Sequence, residues 1–221
     1  MKTLKILSLV AVALVAFLLF GCRDTSTTVS AVASPASSAS PGEVEKTAIL
    51  AGGCFWCLEH DLKKLEGVLD AESGYSGGDR PNPTYKNYHD LTAEYKRPHV
   101  EVVKVTYDSS KLSYQELLNY FFRHIDPVDS GGQFCDRGAA YRPVVYAENE
   151  EEVRFAETVS SDVEKLLGQE IATPIEKREA FWPAEDYHQD FSEKNPKRYE
   201  LYRWKCGRDQ RVKELWGAVE K

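Results

Sequence analysis

The sequence predicts an α+β domain, a two-layer sandwich in which helices cover a β-sheet. Three observations lead to this prediction. Residues 47–51 form a short apolar run of strand length, and apolar residues recur at helical spacing soon after it. Residues 100–107 alternate with the period of a strand, and residues 113–122 follow with a helix N-cap pattern and an apolar face. Strands and helices therefore alternate along the chain.

Length and composition fit one domain plus extensions. The chain has 221 residues, of which 42% are hydrophobic, and this is enough for a core of ordinary size. Its formal net charge is −7 at pH 7. Because an acidic domain has no electrostatic reason to bind nucleic acid, we exclude that class of function.

The first 22 residues have the pattern of a signal peptide. Lys2 and Lys5 precede an apolar run over residues 6–20, which is short for a membrane span and typical of the hydrophobic region of a signal. The sequence LFGC that ends this segment resembles a bacterial lipobox, with Cys22 as the lipidated first residue of the mature protein. Phe20 is bulky for that motif, so an uncleaved anchor and cleavage at an ordinary signal site stay open.

This N-terminal pattern predicts a protein outside the cytoplasm, in the periplasm or at the cell surface. Residues 23–43 consist mainly of Ser, Thr, Ala and Pro, and such a composition predicts a flexible linker. The folded domain is expected over residues 44–221. A lipid on Cys22 would attach this domain to the membrane as a lipoprotein.

The cysteine pair in GGCFWC, residues 52–57, lies where the predicted strand turns into a helix. The apolar residues that define this helix recur at steps of three and four: Phe55, Leu58, Leu62 and Leu65. Cys54 is at or next to the helix N-terminus, where unpaired N–H groups and the macrodipole favour a thiolate, so we expect a lowered pKa and a nucleophile at neutral pH. Cys57 follows on the same helical face, close enough for a disulfide.

A Cys-x-x-Cys pair at such a turn indicates redox chemistry or metal binding more often than core filling. A zinc site would need a second, tightly spaced ligand pair, whereas Cys135 and Cys206 stand alone, so we expect no metal. The pair by itself does not distinguish a thiol-disulfide oxidoreductase from an enzyme that reduces another group. A non-catalytic binding module with a fixed disulfide is a third interpretation, and it predicts no thiol with a lowered pKa.

Glu101 lies near the start of the alternating strand over residues 100–107. It shares one face with Val105, whereas the even-numbered residues, among them Lys104 and Thr106, lie on the face expected to meet solvent. A carboxyl group on a core face should have a raised pKa and stay protonated near neutrality, as a general acid requires. The alternative is that Glu101 extends into water at the end of the strand.

The remaining stretches predict further parts of both layers. A capping box starts a helix at residue 113, acidic residues 148–152 open another helix, and residues 144–146 and 171–175 are short strands. Tyrosines in the Gly- and Pro-rich loop over residues 74–88 are candidates for lining a pocket: Tyr75, Tyr85 and Tyr88.

Together these stretches resemble peptide methionine sulfoxide reductase of the A type, in order from about residue 45 to the C-terminus. The matching motifs are GGCFWC, GYSGG at 74–78, NPTY at 82–85, HVE at 99–101, YD at 107–108, DP at 126–127, DRG at 136–138 and YR at 141–142. The resemblance implies a mixed, mostly antiparallel, ferredoxin-like sheet with an irregular C-terminal tail. It also implies thiol-dependent reduction of methionine S-sulfoxide in proteins and peptides, with free methionine sulfoxide as a further substrate.

The resemblance assigns roles to the residues that react. Cys54 would attack the sulfoxide sulfur and become a sulfenic acid. Glu101, with the hydroxyls of Tyr75 and Tyr141, would hydrogen-bond and protonate the sulfoxide oxygen. These four residues, together with Asp136, are the predicted catalytic residues.

The resemblance also assigns residues that bind the substrate. Phe55 and Trp56 would form the apolar pocket for the S-methyl group, and Asp136 would order the polar side of the site. A rigid apolar wall beside converging donors selects one epimer of a chiral sulfoxide. Neither an organic cofactor nor a metal is implied.

A second thiol must then resolve the sulfenic acid. Cys57 is favoured because it is nearest in sequence and on the right face, and Cys206 is the second candidate, in a basic tail. Cys135 stands where Asn is frequent in the family. The resulting disulfide would be reduced by a thioredoxin-like protein, and the enzyme would repair oxidised proteins under oxidative stress, acting as a monomer.

Overall fold

The computed structural model describes residues 44–217. The predicted signal peptide, the lipidation of Cys22 and the linker over residues 23–43 lie outside the described residues and stay predictions. Within residues 44–217, every helix is too short or too polar to cross a membrane.

The described residues form eight strands and six α-helices. The strands are β1 (Glu45–Ala51), β2 (Val68–Ser76), β3 (Val100–Asp108), β4 (Gly132–Gln133), β5 (Asp136–Arg137), β6 (Val144–Ala147), β7 (Ile175–Lys177) and β8 (Trp182–Pro183). The helices are α1 (Phe55–Leu62), α2 (Tyr114–Arg123), α3 (Glu150–Leu167), α4 (Phe191–Lys194), α5 (Pro196–Cys206) and α6 (Arg208–Trp216). A short 3-10 turn, Ala139–Tyr141, precedes β6.

Six strands form one sheet in the order β7-β6-β1-β3-β2-β8. Strands β6 and β7 are parallel, and the other neighbours in this sheet are antiparallel. The inner strands follow the chain order β1-α1-β2-β3-α2-β6 and the spatial order β6-β1-β3-β2, which is the ferredoxin-like arrangement. The prediction of an α+β fold with a mixed, mostly antiparallel sheet is confirmed.

The predicted capping box fixes the start of α2. The backbone N–H of Glu116 donates to the Ser113 hydroxyl at 3.2 Å, and the backbone N–H of Ser113 donates to the Glu116 carboxylate at 2.8 Å. Two free N–H groups at the helix end are satisfied in this way. The helix then directs its apolar face at the sheet with Leu117 and Phe121, both fully buried.

The sheet is buried on both faces in its central part. The odd-numbered residues of β3, such as Val103 and Val105, join the main core beneath the helices, as predicted. The even-numbered face was expected to meet solvent, and this is wrong for its first half. Val100 and Val102 pack in a second apolar cluster, whose other members are Ile49, Ala51, Val144 and Tyr146, with Phe181 packed against them. Only the later residues of that face are partly exposed.

Two element boundaries differ from the sequence prediction. Helix α1 ends at Leu62 rather than Leu65, because the chain turns toward Gly67, which adopts a positive φ of 95°. The strand predicted over residues 171–175 begins only at Ile175. Pro174 has no N–H for a sheet ladder, and the Ala172 N–H donates to Pro127 instead.

The C-terminal tail is helical, so the prediction of an irregular tail is wrong. Pro196 occupies the first turn of α5, where its missing N–H costs nothing, and Gly207 ends that helix in the left-handed conformation. Helices α5 and α6 attach to the domain mainly through polar contacts. Their sequences are therefore rich in basic residues and lack the apolar spacing by which a helix is predicted.

Those contacts tie the tail to the centre of the domain. The side chain of Arg208 is buried and donates to the carbonyls of Gly52 at 3.3 Å and His124 at 2.9 Å. Arg203 donates to the buried carboxylate of Asp61 at 2.9 Å. A disulfide between Cys135 and Cys206 adds a covalent link over a sequence separation of 71 residues.

We expect this disulfide to stabilise the domain by about 2–4 kcal/mol, because closing a long loop restricts the unfolded chain. The double variant Cys135→Ser/Cys206→Ser should therefore unfold at lower urea concentration than the wild type without reductant. In dithiothreitol the two proteins should unfold at the same concentration, which is the matched control. Equal midpoints without reductant would contradict the expectation.

Candidate active site

The turn between β1 and α1 delivers Cys54 to the helix N-terminus. Gly53 has a φ of 81°, and a Cβ there would meet the Cβ of Gln133 at 2.5 Å, so this position requires glycine. Cys54 is the N-cap of α1, and its carbonyl accepts from Cys57 N at 3.1 Å and Leu58 N at 3.3 Å. The predicted strand-turn-helix position of Cys54 is confirmed.

Glu101 is buried beside this turn, only 2% exposed. The Phe55 N–H, at the start of α1, donates to one carboxyl oxygen at 3.0 Å, and the Tyr88 hydroxyl donates to the other at 2.9 Å. Burial raises the pKa of Glu101 to about 8, although both hydrogen bonds act in the opposite direction. The predicted inward orientation and raised pKa are confirmed, and the alternative of a solvent-exposed Glu101 is not.

A small cavity of about 70 Å³ opens beside these groups. Its lining contains six of the predicted site residues, the candidate pocket tyrosine Tyr85 and the unpredicted Tyr202; the six are Cys54, Phe55, Trp56, Glu101, Asp136 and Tyr141. The thiol, the protonated carboxyl group and the aromatic wall therefore meet in one place.

Tyr75 was predicted to reach the substrate oxygen, but it does not line this cavity. Its side chain is fully buried, and its hydroxyl donates to Glu185 at 2.9 Å. Its ring packs against Phe55 and Tyr88, with centroids 5.9 and 4.8 Å apart. Strand β2 turns this residue toward the core, so Tyr85 from the following loop takes the place at the cavity.

Asp136 lies on the polar side of the cavity, as predicted, and its partner there is Tyr202. The Tyr202 hydroxyl donates to the Asp136 carboxylate, and its interaction with Cys54 lowers the pKa of that thiol. Sequence reasoning missed Tyr202. The available signal is its spacing, because Tyr202 stands four residues before Cys206 and so shares one helical face with it.

The aromatic wall is fixed from behind. The Trp56 ring stacks on Phe191 with centroids 3.6 Å apart, and its indole N–H donates to His188 at 3.0 Å. Burial lowers the pKa of His188, so its imidazole accepts this bond in the neutral form. The predicted apolar pocket of Phe55 and Trp56 therefore has a rigid support.

The four cysteines of the described part form two separate pairs. Cys54 and Cys57 are free, buried and hydrogen-bonded to each other, as their spacing predicts. Cys206 was the second candidate for the resolving thiol, but it is bonded to Cys135. Cys135, Asp136 and Cys206 lie close enough together to hold a metal ion, but cysteine binds metals as the thiolate, and both sulfurs are used in the disulfide.

The Cys54 thiol does not have the lowered pKa that its helix position predicts. Burial raises its pKa well above the ordinary value, Cys57 and Glu101 act in the same direction, and Tyr202 opposes them. The first helical N–H, from Phe55, is occupied by Glu101 and not by the sulfur. The hydrogen bond from Cys54 lowers the pKa of Cys57.

A free cysteine pair beside a protonated carboxyl group defines a thiol-dependent reductase rather than a binding module with a fixed disulfide. Residues 46–220 match the family model described as "Peptide methionine sulfoxide reductase". The chain belongs to this family and is an oxidoreductase of the A type, as the sequence motifs indicate.

Curated relatives and solved structures agree with this assignment. Over 183 residues the chain is 48% identical to peptide methionine sulfoxide reductase MsrA 2 of Rhizobium meliloti, covering 83% of this chain and 87% of the relative. It is 44% identical over 173 residues to MsrA 2 of Caulobacter vibrioides, covering 78% and 86%. The reduced form of Mxr1 from Saccharomyces cerevisiae matches with a TM-score of 0.62 and 31% identity, covering 69% of this chain and 86% of that one. Methionine sulfoxide reductase A of Corynebacterium diphtheriae matches with a TM-score of 0.60 and 26% identity, covering 71% and 77%.

Proposed function

We propose that this domain reduces the S-epimer of methionine sulfoxide in proteins and peptides, and in the free amino acid. The observation that carries the proposal is the position of Glu101, a carboxyl group with a pKa of about 8 in the same small cavity as the Cys54 thiol. Sulfoxide reduction requires a soft nucleophile at sulfur and a proton for the oxygen. The cavity contains both.

In the first step, Cys54 attacks the sulfoxide sulfur while Glu101 protonates the oxygen. The hydroxyls of Tyr85 and Tyr141 line the cavity and would hydrogen-bond this oxygen. The sulfur–oxygen bond then breaks, the hydroxyl group passes to the Cys54 sulfur, and methionine leaves. Sulfur in the substrate is reduced by two electrons, and the Cys54 thiol is oxidised to a sulfenic acid.

The substrate would be oriented by the aromatic wall. Phe55 and Trp56 offer an apolar surface for the S-methyl group, whereas Glu101 and Tyr141 lie on the polar side for the oxygen. Only one epimer of the sulfoxide can place its methyl group on the aromatic wall and its oxygen on the polar side at the same time. This arrangement supports selection of one epimer.

Cys57 resolves the sulfenic acid in this proposal. Its thiol attacks the Cys54 sulfur, a disulfide forms, and the hydroxyl group leaves as water. Cys57 is hydrogen-bonded to Cys54, and Arg208 and Arg203 help to lower its pKa, which favours the attacking thiolate. A thioredoxin-like protein would restore both thiols by becoming a disulfide itself.

The protein would act outside the cytoplasm as a monomer anchored through Cys22. The pattern of residues 1–22 supports this placement. The bond between Cys135 and Cys206 is a second supporting observation, because disulfides persist in oxidising compartments. Mass spectrometry of the mature N-terminus, with Cys22→Ala as control, tests the lipid, and gel filtration of the soluble domain tests the monomer.

The proposed activity is tested with separate S- and R-epimers of a methionine sulfoxide peptide. With dithiothreitol as reductant, we expect methionine from the S-epimer alone, measured by chromatography, and no methionine with Cys54→Ser. Reduction of a protein disulfide without turnover of either epimer would instead identify a thiol-disulfide oxidoreductase using Cys54 and Cys57.

The acid role of Glu101 predicts a defined pH dependence. Because its pKa is raised, the carboxyl group carries a proton below about pH 8 and loses it above. We expect kcat/KM to fall as pH rises through about 8 in the wild type. Glu101→Gln should lower kcat/KM at pH 7 by about 100-fold or more and remove that alkaline limb. A variant that retains the limb would contradict the assignment.

The resolving role of Cys57 predicts the product of a single turnover. Without added reductant, Cys57→Ser should form one equivalent of methionine and accumulate the Cys54 sulfenic acid, which dimedone labelling and mass spectrometry detect. The double variant Cys135→Ser/Cys206→Ser is the matched control and should still form the Cys54–Cys57 disulfide. An intramolecular disulfide formed at the wild-type rate in Cys57→Ser would exclude Cys57 as the resolving residue.

A further inference from the structure

The site described above does not yet account for how Cys54 loses its proton. Cys54 is only 7% exposed, so bulk water is a poor acceptor for the thiol proton. The thiol is a far weaker nucleophile than the thiolate. Glu101 is not available as a base, because the proposed reaction uses it as the acid for the sulfoxide oxygen. The reaction therefore needs another proton acceptor within reach of the Cys54 sulfur.

Tyr202 connects the Cys54 sulfur to a second carboxyl group. Its hydroxyl donates to an Asp136 carboxylate oxygen, and the same side chain interacts electrostatically with the Cys54 thiol. A hydroxyl has one proton and two lone pairs, so while it donates to Asp136 it can accept from the thiol. All three groups line the same cavity.

We propose that Tyr202 passes the proton of Cys54 to Asp136. The thiol proton moves to the Tyr202 oxygen while the hydroxyl proton of Tyr202 moves to the Asp136 carboxylate. The electron pair of the broken S–H bond stays on the Cys54 sulfur and forms the bond to the sulfoxide sulfur. Cys54 loses one proton, Asp136 gains one and Tyr202 is unchanged, so the step is balanced. This inference rests on the proposed sulfoxide reduction.

The surroundings of the two carboxyl groups suit these opposite roles. Glu101 is enclosed by protein and is held protonated near neutral pH. Asp136 is partly exposed and faces the guanidinium of Arg208, which stabilises its charged form. Burial nevertheless raises the pKa of Asp136 above its ordinary value, which makes it a better base than an exposed aspartate. A carboxyl group that is held protonated and a second one that lies near a guanidinium are suited to act as an acid and a base.

Other titratable groups face this path from several elements. Cys57 and Glu101 face the Cys54 sulfur from α1 and β3. Tyr85 and Tyr141 face the cavity from their loops, and Arg208 faces Asp136 from α6. The phenols ionise above the pH range of the experiment, so Glu101, Asp136 and the thiols are the groups that contribute to the pH profile.

The disulfide and an aromatic contact hold Tyr202 in place. Tyr202 precedes Cys206 by one helical turn in α5, and Asp136 directly follows Cys135 in the sequence. The covalent bond and the hydrogen bond are therefore neighbouring links between the same two segments. The Trp56 ring meets Tyr202 edge to face at a centroid distance of 6.0 Å. Cys135 and Cys206 act as positioning residues for the proton path.

The test is the rate of methionine formation in a single turnover from pH 6 to 9. Tyr202→Phe keeps the ring and removes the proton carrier, so we expect a rate about 100-fold below wild type at pH 6.5. The deficit should shrink as pH rises, because hydroxide increasingly removes the thiol proton. Loss of the Glu101 proton lowers the rate of both proteins equally at high pH. The ratio of the two rates therefore reports only the proton transfer through Tyr202. A ratio that does not change with pH would overturn the proposal.

Two further variants separate proton transfer from packing. Asp136→Asn should show the same pH-dependent deficit, and combining it with Tyr202→Phe should add little, because both residues belong to one path. Tyr120→Phe is the matched control: its hydroxyl donates to the Asp61 carbonyl at 2.9 Å, outside the cavity, and its rate should stay near wild type. Additive effects of the Tyr202 and Asp136 substitutions would overturn the shared path.

The Cys135→Ser/Cys206→Ser double variant tests the positioning role. It keeps both proton-carrying groups, so we expect a smaller deficit than Tyr202→Phe with the same dependence on pH. A wild-type rate across the pH range would show that the disulfide does not position Tyr202 for proton transfer.

Alkylation of Cys54 by iodoacetamide measures the path without a sulfoxide. Tyr202→Phe should react more slowly than wild type at pH 7 and approach it at pH 9, with modification at Cys54 followed by mass spectrometry. Identical alkylation profiles would overturn the proposal even if sulfoxide reduction is confirmed. If the wild type reduces no sulfoxide, the proposed function fails, and this measurement still decides whether Tyr202 and Asp136 accept the thiol proton.

Discussion

The hydrogen bond from the Phe55 N–H to the Glu101 carboxyl group organises this active site. It joins the first turn of α1 to the centre of the sheet at 3.0 Å, and it places a carboxyl group directly beside the cysteine that caps the helix. The donor comes from the backbone, so the contact depends on the path of the chain at Gly52 and Gly53 more than on any side chain. Because Gly53 packs against Gln133, the turn is also fixed from the opposite side.

This arrangement disfavours the charged forms of both Cys54 and Glu101. Glu101 takes the N–H that would otherwise stabilise a Cys54 thiolate, and burial raises the pKa of both groups. The thiol and the Glu101 carboxyl group are therefore both uncharged in the resting site. Two uncharged groups suit a substrate whose S–O bond is polar but uncharged, since no solvation has to be displaced from an ionised thiolate or from an ionised Glu101 when it binds.

Sequence reasoning succeeded where the pattern is local. The alternation of β3 gave the orientation of Glu101, Ser113 and Glu116 gave the start of α2, and the spacing of the first two cysteines gave their contact. Such patterns depend on neighbours within one element, and the period of that element determines which side chains meet.

The failures concern contacts between distant segments. Tyr75 and Tyr85 are both loop-region tyrosines in the sequence, and only the path of β2 decides that Tyr75 is buried and Tyr85 reaches the cavity. Periodicity could not pair Cys135 with a residue 71 positions away, nor place Tyr202 beside Asp136. The predicted pKa of Cys54 was wrong because the sequence does not show that the thiol is buried or that the first N–H of the helix donates to Glu101.

The order of the cysteines along the chain constrains how the protein matures. Cys135 pairs with Cys206, which is synthesised 71 residues later, whereas the other cysteines all precede Cys135 in the sequence. During synthesis Cys22, Cys54, Cys57 and Cys135 are present before Cys206, and each pairing among them is a bond other than the one between Cys135 and Cys206. The bond between Cys135 and Cys206 can consequently form only after residue 206 has been synthesised, and a folding catalyst that reshuffles disulfides can produce it from an earlier pairing only from that point on.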